Sequence, residues 1–332
     1  MRTETNISGA PVSRRRALQA LLATACAGLV PAPFAHAGRP IRFIVPASAA
    51  SGLDPMARAA QHALARVLGQ AVVIDNPALT DGMAGTAALV SAAPDGFTLG
   101  FVSNDHVITP SVCKSMPFDP INDITPLAMV GTTPMVLVCN PKLRAANANE
   151  LIALLKASPG PMNFGSPGHG TLTHLATEMF LDAACAKANH VAHSGAGAMV
   201  TALISGEVAF ATAALPSVQQ HLKSGALRAL GVASAERVAA APEIATMAEQ
   251  GWPGFVVEGW FAFVAPKGMA ASAVKHLNEA AQSAFGSAEV QGAMARQGNI
   301  IHVSTPQVAA EYLRSERVRY AMLVKQAGIE AR

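Results

Sequence analysis

The sequence predicts an α/β protein built as two lobes, and three observations predict it. Short apolar, β-branched runs alternate with segments of helical period, as strands and helices layered on parallel sheets do. Three times a strand opens through a loop of small residues into a helix, at 41–68, 162–184 and 190–204. Two longer apolar runs, 127–138 and 256–265, can cross from one lobe to the other and back. With 332 residues, 51% of them apolar, the chain can bury enough surface for two domains rather than one.

The first 37 residues read as an export leader. Arg14, Arg15 and Arg16 precede the apolar run 17–30, and Ala35-His36-Ala37 has the form of a cleavage site. The run is too short for a permanent membrane span. Ser13-Arg14-Arg15 resembles a twin-arginine signal, and ordinary secretion stays open beside it. The expected location is the periplasm of a Gram-negative cell.

Removing the leader changes the charge balance. Taking Arg2, Arg14, Arg15, Arg16 and Glu4 from 24 basic and 21 acidic residues leaves 20 of each. A near-neutral chain without basic runs or interleaved aromatics argues against nucleic acid. Beyond the leader, Cys113, Cys139 and Cys185 remain. An odd number cannot close a disulfide framework; one bridge is possible, but spacing does not choose its partners. No C-x-x-C spacing supports a zinc site on them.

The elements follow in order. Residues 41–46 form the first strand. Asp54 stands before Pro55 as the expected N-cap of a helix over 55–68, whose Met56, Ala59, Ala60, Ala63, Leu64 and Val67 make a 3.6-residue stripe ended by Gly69. Strands are expected at 71–75 and 98–102, with a short helix over 85–93 between them. Asn147 with Glu150 three residues on is a box-like helix start. Strands at 208–213 and 227–232 and helices over 271–285, 288–297 and 306–327 complete the chain. Lobe one is expected to span 38–138 completed by 260–332, and lobe two 139–259. Two crossings between two lobes make a hinged cleft, the geometry of a solute trap.

Catalytic and cofactor chemistries are poorly supported. No G-x-S-x-G is present, and Ser166 and Ser194 lie in loops without a triad signature. Gly195-Ala-Gly197 partly mimics a dinucleotide fingerprint, but the third glycine is missing and the next strand has no acidic residue. His169, His174, His190 and His193 lack a metal motif's spacing. His174 falls on an apolar helix and reads as structural; His169 and His193 read as polar groups of a pocket. No cofactor, metal or catalytic residue is expected.

Taken together, the motifs resemble the solute receptors of tripartite tricarboxylate transporters, the Bug family, over essentially the whole mature chain. The resemblance rests on Ile44-Val45-Pro46 … Gly52-Leu53-Asp54-Pro55-Met56-Ala57-Arg58, Leu68-Gly69-Gln70, Pro94-Asp95-Gly96-Phe97 and Pro117-Phe118-Asp119-Pro120. It extends through Gly165-Ser166 … Gly168-His169-Gly170 … His174-Leu175-Ala176, Gly225-Ala226-Leu227 and Val324-Lys325-Gln326-Ala327-Gly328. It implies a two-lobed, periplasmic-binding-protein-like (type II) fold with a ligand cleft between the lobes, and no catalysis.

The resemblance further implies that backbone amides, hydroxyls and ordered water hold a small organic carboxylate. The residues so implied are Ala47, Ser48, Ser51, Gly52 and Asp54 in the first loop, Gly82 in the second, and Ser103 with Asn104 in the third. Lobe two would add Ser166, Gly168, His169, Gly170 and Thr171, then His193, Ser194 and Gly195. Neutral dipoles hold an anion without desolvating a buried cation. Ala47, Ala50-Ser51, Leu79, Asp81, His193-Ser194, Thr201 and Ala213 depart from the family pattern, so the particular ligand is not inherited. The implied partners are the carboxylate and the membrane permease subunits of a tripartite transporter, with the receptor a monomer. A ligand-sensing receptor for a signalling partner, and a secreted hydrolase using Ser166 or His193, are the alternatives.

Overall fold

A computed structural model describes residues 38–46, 53–76 and 83–332. The chain divides into one unit over Met1–Gly38 and a second over Arg39–Arg332; the second is described here. The leader, Ala47, Ser48, Ser51, Gly52 and Gly82 lie outside the described residues.

Among the described residues ten strands make one connected sheet. In chain order they are β1 (Ile41–Ile44), β2 (Val72–Asp75), β3 (Thr98–Ser103), β4 (Ile124–Cys139), β5 (Met162–Ser166), β6 (Ala188–Ala192), β7 (Phe210–Ala214), β8 (Arg228–Val232), β9 (Glu258–Pro266) and β10 (Ile300–Ile301). The main path runs β2-β1-β3-β9-β4-β7-β5-β6, with β8 and β10 also paired to β4. The helices are α1 (Leu53–Leu68), α2 (Met83–Val90), α3 (Asp105–Val112), α4 (Ala148–Ala157), α5 (Leu172–Ala183) and α6 (Ala196–Ser205). They continue as α7 (Leu215–Lys223), α8 (Ala271–Phe285), α9 (Ala288–Arg296) and α10 (Pro306–Gln326).

The sixteen-residue β4 is the shared beam. Its first part pairs with β9, from Ile124 to Pro134. Its last part pairs with β7 from Met135 to Cys139 and with β8 from Val136 to Cys139. Burial on both faces explains its nearly unbroken apolar sequence.

The sheet is mixed, which corrects the expectation of parallel sheets. The outer pairs β1–β2, β1–β3, β5–β6 and β5–β7 are parallel, as strand–helix–strand connections require. The two long strands β4 and β9 run antiparallel to each other, and β9 also runs antiparallel to β3. A chain that goes out along one strand and returns along its neighbour must reverse direction.

Two further expectations change. The first helix begins at Leu53, so Asp54 sits inside its first turn rather than capping it. There its Oδ2 accepts a 2.8 Å bond from Arg58 Nε, one turn on, an i,i+4 pair. Helices α3 and α7 stand where no helix was expected.

The cores follow the two parts of the sheet. Phe43, Phe101, Phe261, Phe263 and Phe285 pack with Met56, Leu64 and Leu277 on one side. Val136, Val138, Met199, Leu203, Val208 and Val218 pack together under α6 and α7. Burial of aliphatic and aromatic surface at roughly 25 cal/mol per Å² drives both.

Candidate functional site

Two turns from adjacent parallel strands lie side by side. Strand β5 delivers Ser166 into the turn that begins α5, and β6 delivers Ala192 into the turn that begins α6; the register pairs Ser166 with Ala192. The turns are stitched together. His193 N–H donates to the Ser166 carbonyl at 2.9 Å, and Gly195 N–H donates to the Pro167 carbonyl at 2.9 Å. Gly195 has φ +95°, a conformation that favours glycine.

Most donors of the first turn are used within it. Ser166 is fully buried; its hydroxyl donates to the Gly168 carbonyl at 2.8 Å and accepts from Gly168 N–H at 3.2 Å. Thr171 is the N-cap of α5, accepting from His174 N–H while its hydroxyl donates to the Gly168 carbonyl at 2.9 Å. Gly170 N–H donates to His174 Nδ1 at 3.0 Å. Leu172 N–H, at the first position of α5, donates to the Asp105 carboxylate at 2.8 Å.

The start of α6 keeps its donors. Gly197 and Ala198, in the first turn of α6, are exposed, and their N–H groups have no partner among the described residues. A helix N-terminus with free amides and its dipole favours an anion. Ser194 is exposed beside it. His193 lies over β5, its Nε2 3.6 Å from the point where a Cβ on Gly165 would stand. That nitrogen is buried and unpartnered among the described residues.

Three imidazoles gather at the first turn. His174 and His190 stack with centroids 3.6 Å apart and planes 12° apart, and His169 stands 5.3 Å from His174. Burial and repulsion from His174, His169, Arg332 and His193 push His190 down to about 3. His169 is also lowered, chiefly by burial, although the Glu330 carbonyl opposes the change. At neutral pH both are neutral.

The Ser166–His190 contact is not a nucleophile–base pair. Ser166 Oγ lies 2.6 Å from His190 Nε2, but its own proton goes to the Gly168 carbonyl. His190 is therefore the donor here, whereas a general base must accept the hydroxyl proton.

The remaining candidates are placed elsewhere. Asn104 is buried and fully engaged: Nδ2 donates to the Tyr320 hydroxyl at 2.7 Å and the Glu258 carbonyl at 3.3 Å, while Oδ1 accepts from Trp260 N–H at 2.7 Å. Ser103 ends β3, half-buried. Asp54 is buried, with Oδ1 unpartnered among the described residues. No disulfide joins Cys113, Cys139 and Cys185. A surface groove of about 380 Å³ lies apart from these turns, between α5, the segment Gly251–Phe255 and α10, lined by Met179, Trp252, Phe255 and Leu323.

Sequence reasoning missed two contributors. Asp105 comes from α3, where no helix was expected. The C-terminal residues reach the site through His169 Nε2, which donates to the Glu330 carbonyl at 3.0 Å. A sequence separation of 161 residues leaves no local signal for that contact.

Comparisons with known proteins place this geometry in a family. The family model for the tripartite tricarboxylate transporter family receptor matches residues 56–329. The protein BugT of Bordetella pertussis is 37% identical over 295 residues, covering 88% of this chain and 90% of that protein. A solved structure described as a periplasmic transporter is similar with a TM-score of 0.84 at 30% identity, covering 89% of this chain and 99% of that one. The R. palustris protein Rpa4515, solved with adipate, gives 0.85 at 26% identity over 89% and 99% of the two chains. An α/β sheet with a shared long strand, small-residue turns at the ends of parallel strands and these matches agree: the chain belongs to the tripartite tricarboxylate transporter receptor family, solute-binding proteins of two-lobed, periplasmic-binding-protein-like fold.

Proposed function

We propose that the protein captures a small organic carboxylate in the periplasm and delivers it to the membrane subunits of a tripartite tricarboxylate-type transporter. The ligand sits in a cleft between lobe one, 38–138 with 260–332, and lobe two, 139–259. The observation that carries the reading is the free N-terminus of α6. Gly197 and Ala198 present unpartnered amides beside the Ser194 hydroxyl and the buried, unpartnered His193 Nε2. A carboxylate there accepts two or more hydrogen bonds from neutral donors, each worth about 1.5–3 kcal/mol because the acceptor is charged.

The family resemblance assigns the lobe-one share of the ligand contacts to Ala47, Ser48, Ser51, Gly52, Asp54 and Gly82. Ser166, Gly168, His169, Gly170 and Thr171 act as the frame that holds the α6 turn, through the Ser166 and Pro167 carbonyls. Rpa4515 was solved with adipate, which supports an aliphatic carboxylate as the ligand class. Delivery follows from linkage: a ligand that binds the closed form better shifts the population toward it, and the permease recognises that form.

A thermal-shift screen against mono-, di- and tricarboxylates, amino acids and nicotinate tests the reading. A ligand at about one hundred times its Kd stabilises by about 2.7 kcal/mol, a rise of several degrees in Tm. At least one carboxylate is expected to give that rise. No shift from any carboxylate would overturn the reading.

A further inference from the structure

We propose that the imidazoles of His169 and His190 form a divalent transition-metal site at the turn that begins α5, so that the receptor takes its carboxylate as a metal chelate. This inference rests on the carboxylate reading above and extends it to a class of ligand. One donor atom from each of His169, His174 and His190 lies within 4.8 Å of the others. In a tetrahedral zinc site two ligating nitrogens stand roughly 3.4 Å apart, given Zn–N bonds of about 2.0–2.1 Å, so the rings must turn toward one another to close on an ion.

The hydrogen bonds set the tautomers. The Glu330 carbonyl takes the Nε2 proton of His169, and Ser166 Oγ takes that of His190. Each ring is thus anchored by its Nε2–H and left with a lone pair at Nδ1. Outer-shell acceptors of this kind orient histidines that ligate metals. His169 Nδ1 is buried and has no partner among the described residues, a position that otherwise costs free energy.

His174 takes a different part. Its ring is parallel to that of His190 within 12° at 3.6 Å, so their in-plane lone pairs run side by side and cannot both meet one ion. His174 Nδ1 already accepts the Gly170 N–H, and Glu178 Oε1 lies 3.5 Å from its Nε2. His174 therefore supports His190 by stacking and leaves the ion to the other two rings. The nearby Arg332 guanidinium opposes a cation; it belongs to an exposed terminal residue, where salt screens it.

Two imidazoles leave at least two positions of a four-coordinate ion open. Imidazole suits zinc, copper and nickel, and carboxylate oxygens complete such sites. The ligand class that fits is a carboxylate with a second donor next to it, an α-hydroxy acid or a dicarboxylate. A simple monocarboxylate gains little from the metal.

The test uses the full mature protein stripped with EDTA and dialysed. Titration with ZnCl2 by calorimetry, and with CoCl2 followed by visible absorption, reads the site directly. One ion per chain is expected. His169→Ala and His190→Gln should each weaken it at least about ten-fold, a loss seen even for outer-shell partners. His302→Gln, at an exposed histidine outside the cluster, should leave it unchanged. Absence of stoichiometric binding in the parent protein, or binding unaffected by both cluster variants, overturns the proposal. The carboxylate screen repeated in EDTA separates the two ideas. Stripped protein that binds carboxylates with no change on adding Zn2+ sinks the metal site alone, whereas protein that binds no carboxylate with or without Zn2+ sinks the receptor reading as well.

Discussion

The Asp105 carboxylate accepts a 2.8 Å hydrogen bond from Leu172 N–H across 67 residues of sequence. An acidic side chain from α3 thus caps the first turn of α5, the place where free amides would otherwise attract a ligand anion. Burial lifts the Asp105 carboxyl above its usual range, and the Leu172 N–H draws it back. Of the two helix starts at these turns, α5 is served by an internal carboxylate and α6 has no acidic side chain in its first turn.

Removing that carboxylate should loosen α5. Asp105→Ala leaves a buried N–H without its acceptor and is expected to cost about 1–3 kcal/mol. Asp105→Asn keeps an acceptor oxygen and should retain most of the stability. Urea unfolding of both variants measures the difference; equal losses would show that charge, not the hydrogen bond, carries the effect.

The two serines should separate cleanly. Ser166→Ala takes the shared acceptor from Gly168 N–H and His190 Nε2, so stability should fall by about 1–3 kcal/mol. Ser194→Ala touches nothing internal and should instead weaken carboxylate binding by about ten- to a hundred-fold, the worth of one hydrogen bond to a charged acceptor. Calorimetry on both, paired with thermal melts, checks the split.

Gly170 has φ +73°, and a Cβ added there would stand 2.4 Å from Val112 Cγ2. Gly170→Ala meets both a left-handed backbone cost of roughly 1–2 kcal/mol and overpacking against α3. A total loss of at least about 2 kcal/mol is expected. Adding Val112→Ala should recover only the overpacking part, because the backbone cost stays. Full recovery in urea unfolding of the double variant would contradict this division.

Acid should weaken the fold through His106. Its Nε2 donates to the Pro120 carbonyl at 2.6 Å, while Nδ1 is buried and unpartnered among the described residues. Burial lowers its pKa from 6.5 to about 4. The unfolded chain binds this proton first, so the contribution is complete above about pH 6.5 and is lost as pH falls toward 4. The loss approaches about 3 kcal/mol at 1.36 kcal/mol per unit. His106→Gln keeps a donor without titrating there, and its stability should be flatter over that range.

Much of the fold was legible because its signals are local. Helix α8 was expected over the residues it occupies, and Asn147 caps α4 by accepting from Glu150 N–H. Helix α3 was missed because Pro110 lies inside it and β-branched residues crowd its middle. What holds it is tertiary: Val107, Ile108 and Val112 are buried with Leu313, Tyr320 and Val324 of α10. In the site, loops of small residues pointed to the right turns. Their division into frame and free donors was not legible, because it depends on which strand lies beside which. The histidine cluster is the plainest case: Phe164 pairs with His190 only through parallel register, and the spacing of 169, 174 and 190 carries no trace of it.

A crystal structure of the protein with the carboxylate that raises its Tm most would test the central claim most directly. The carboxylate oxygens should lie within hydrogen-bond distance of the Gly197 or Ala198 N–H at the start of α6. Density for the ligand in the groove beside Trp252 and Leu323, with the α6 amides facing water, would contradict it.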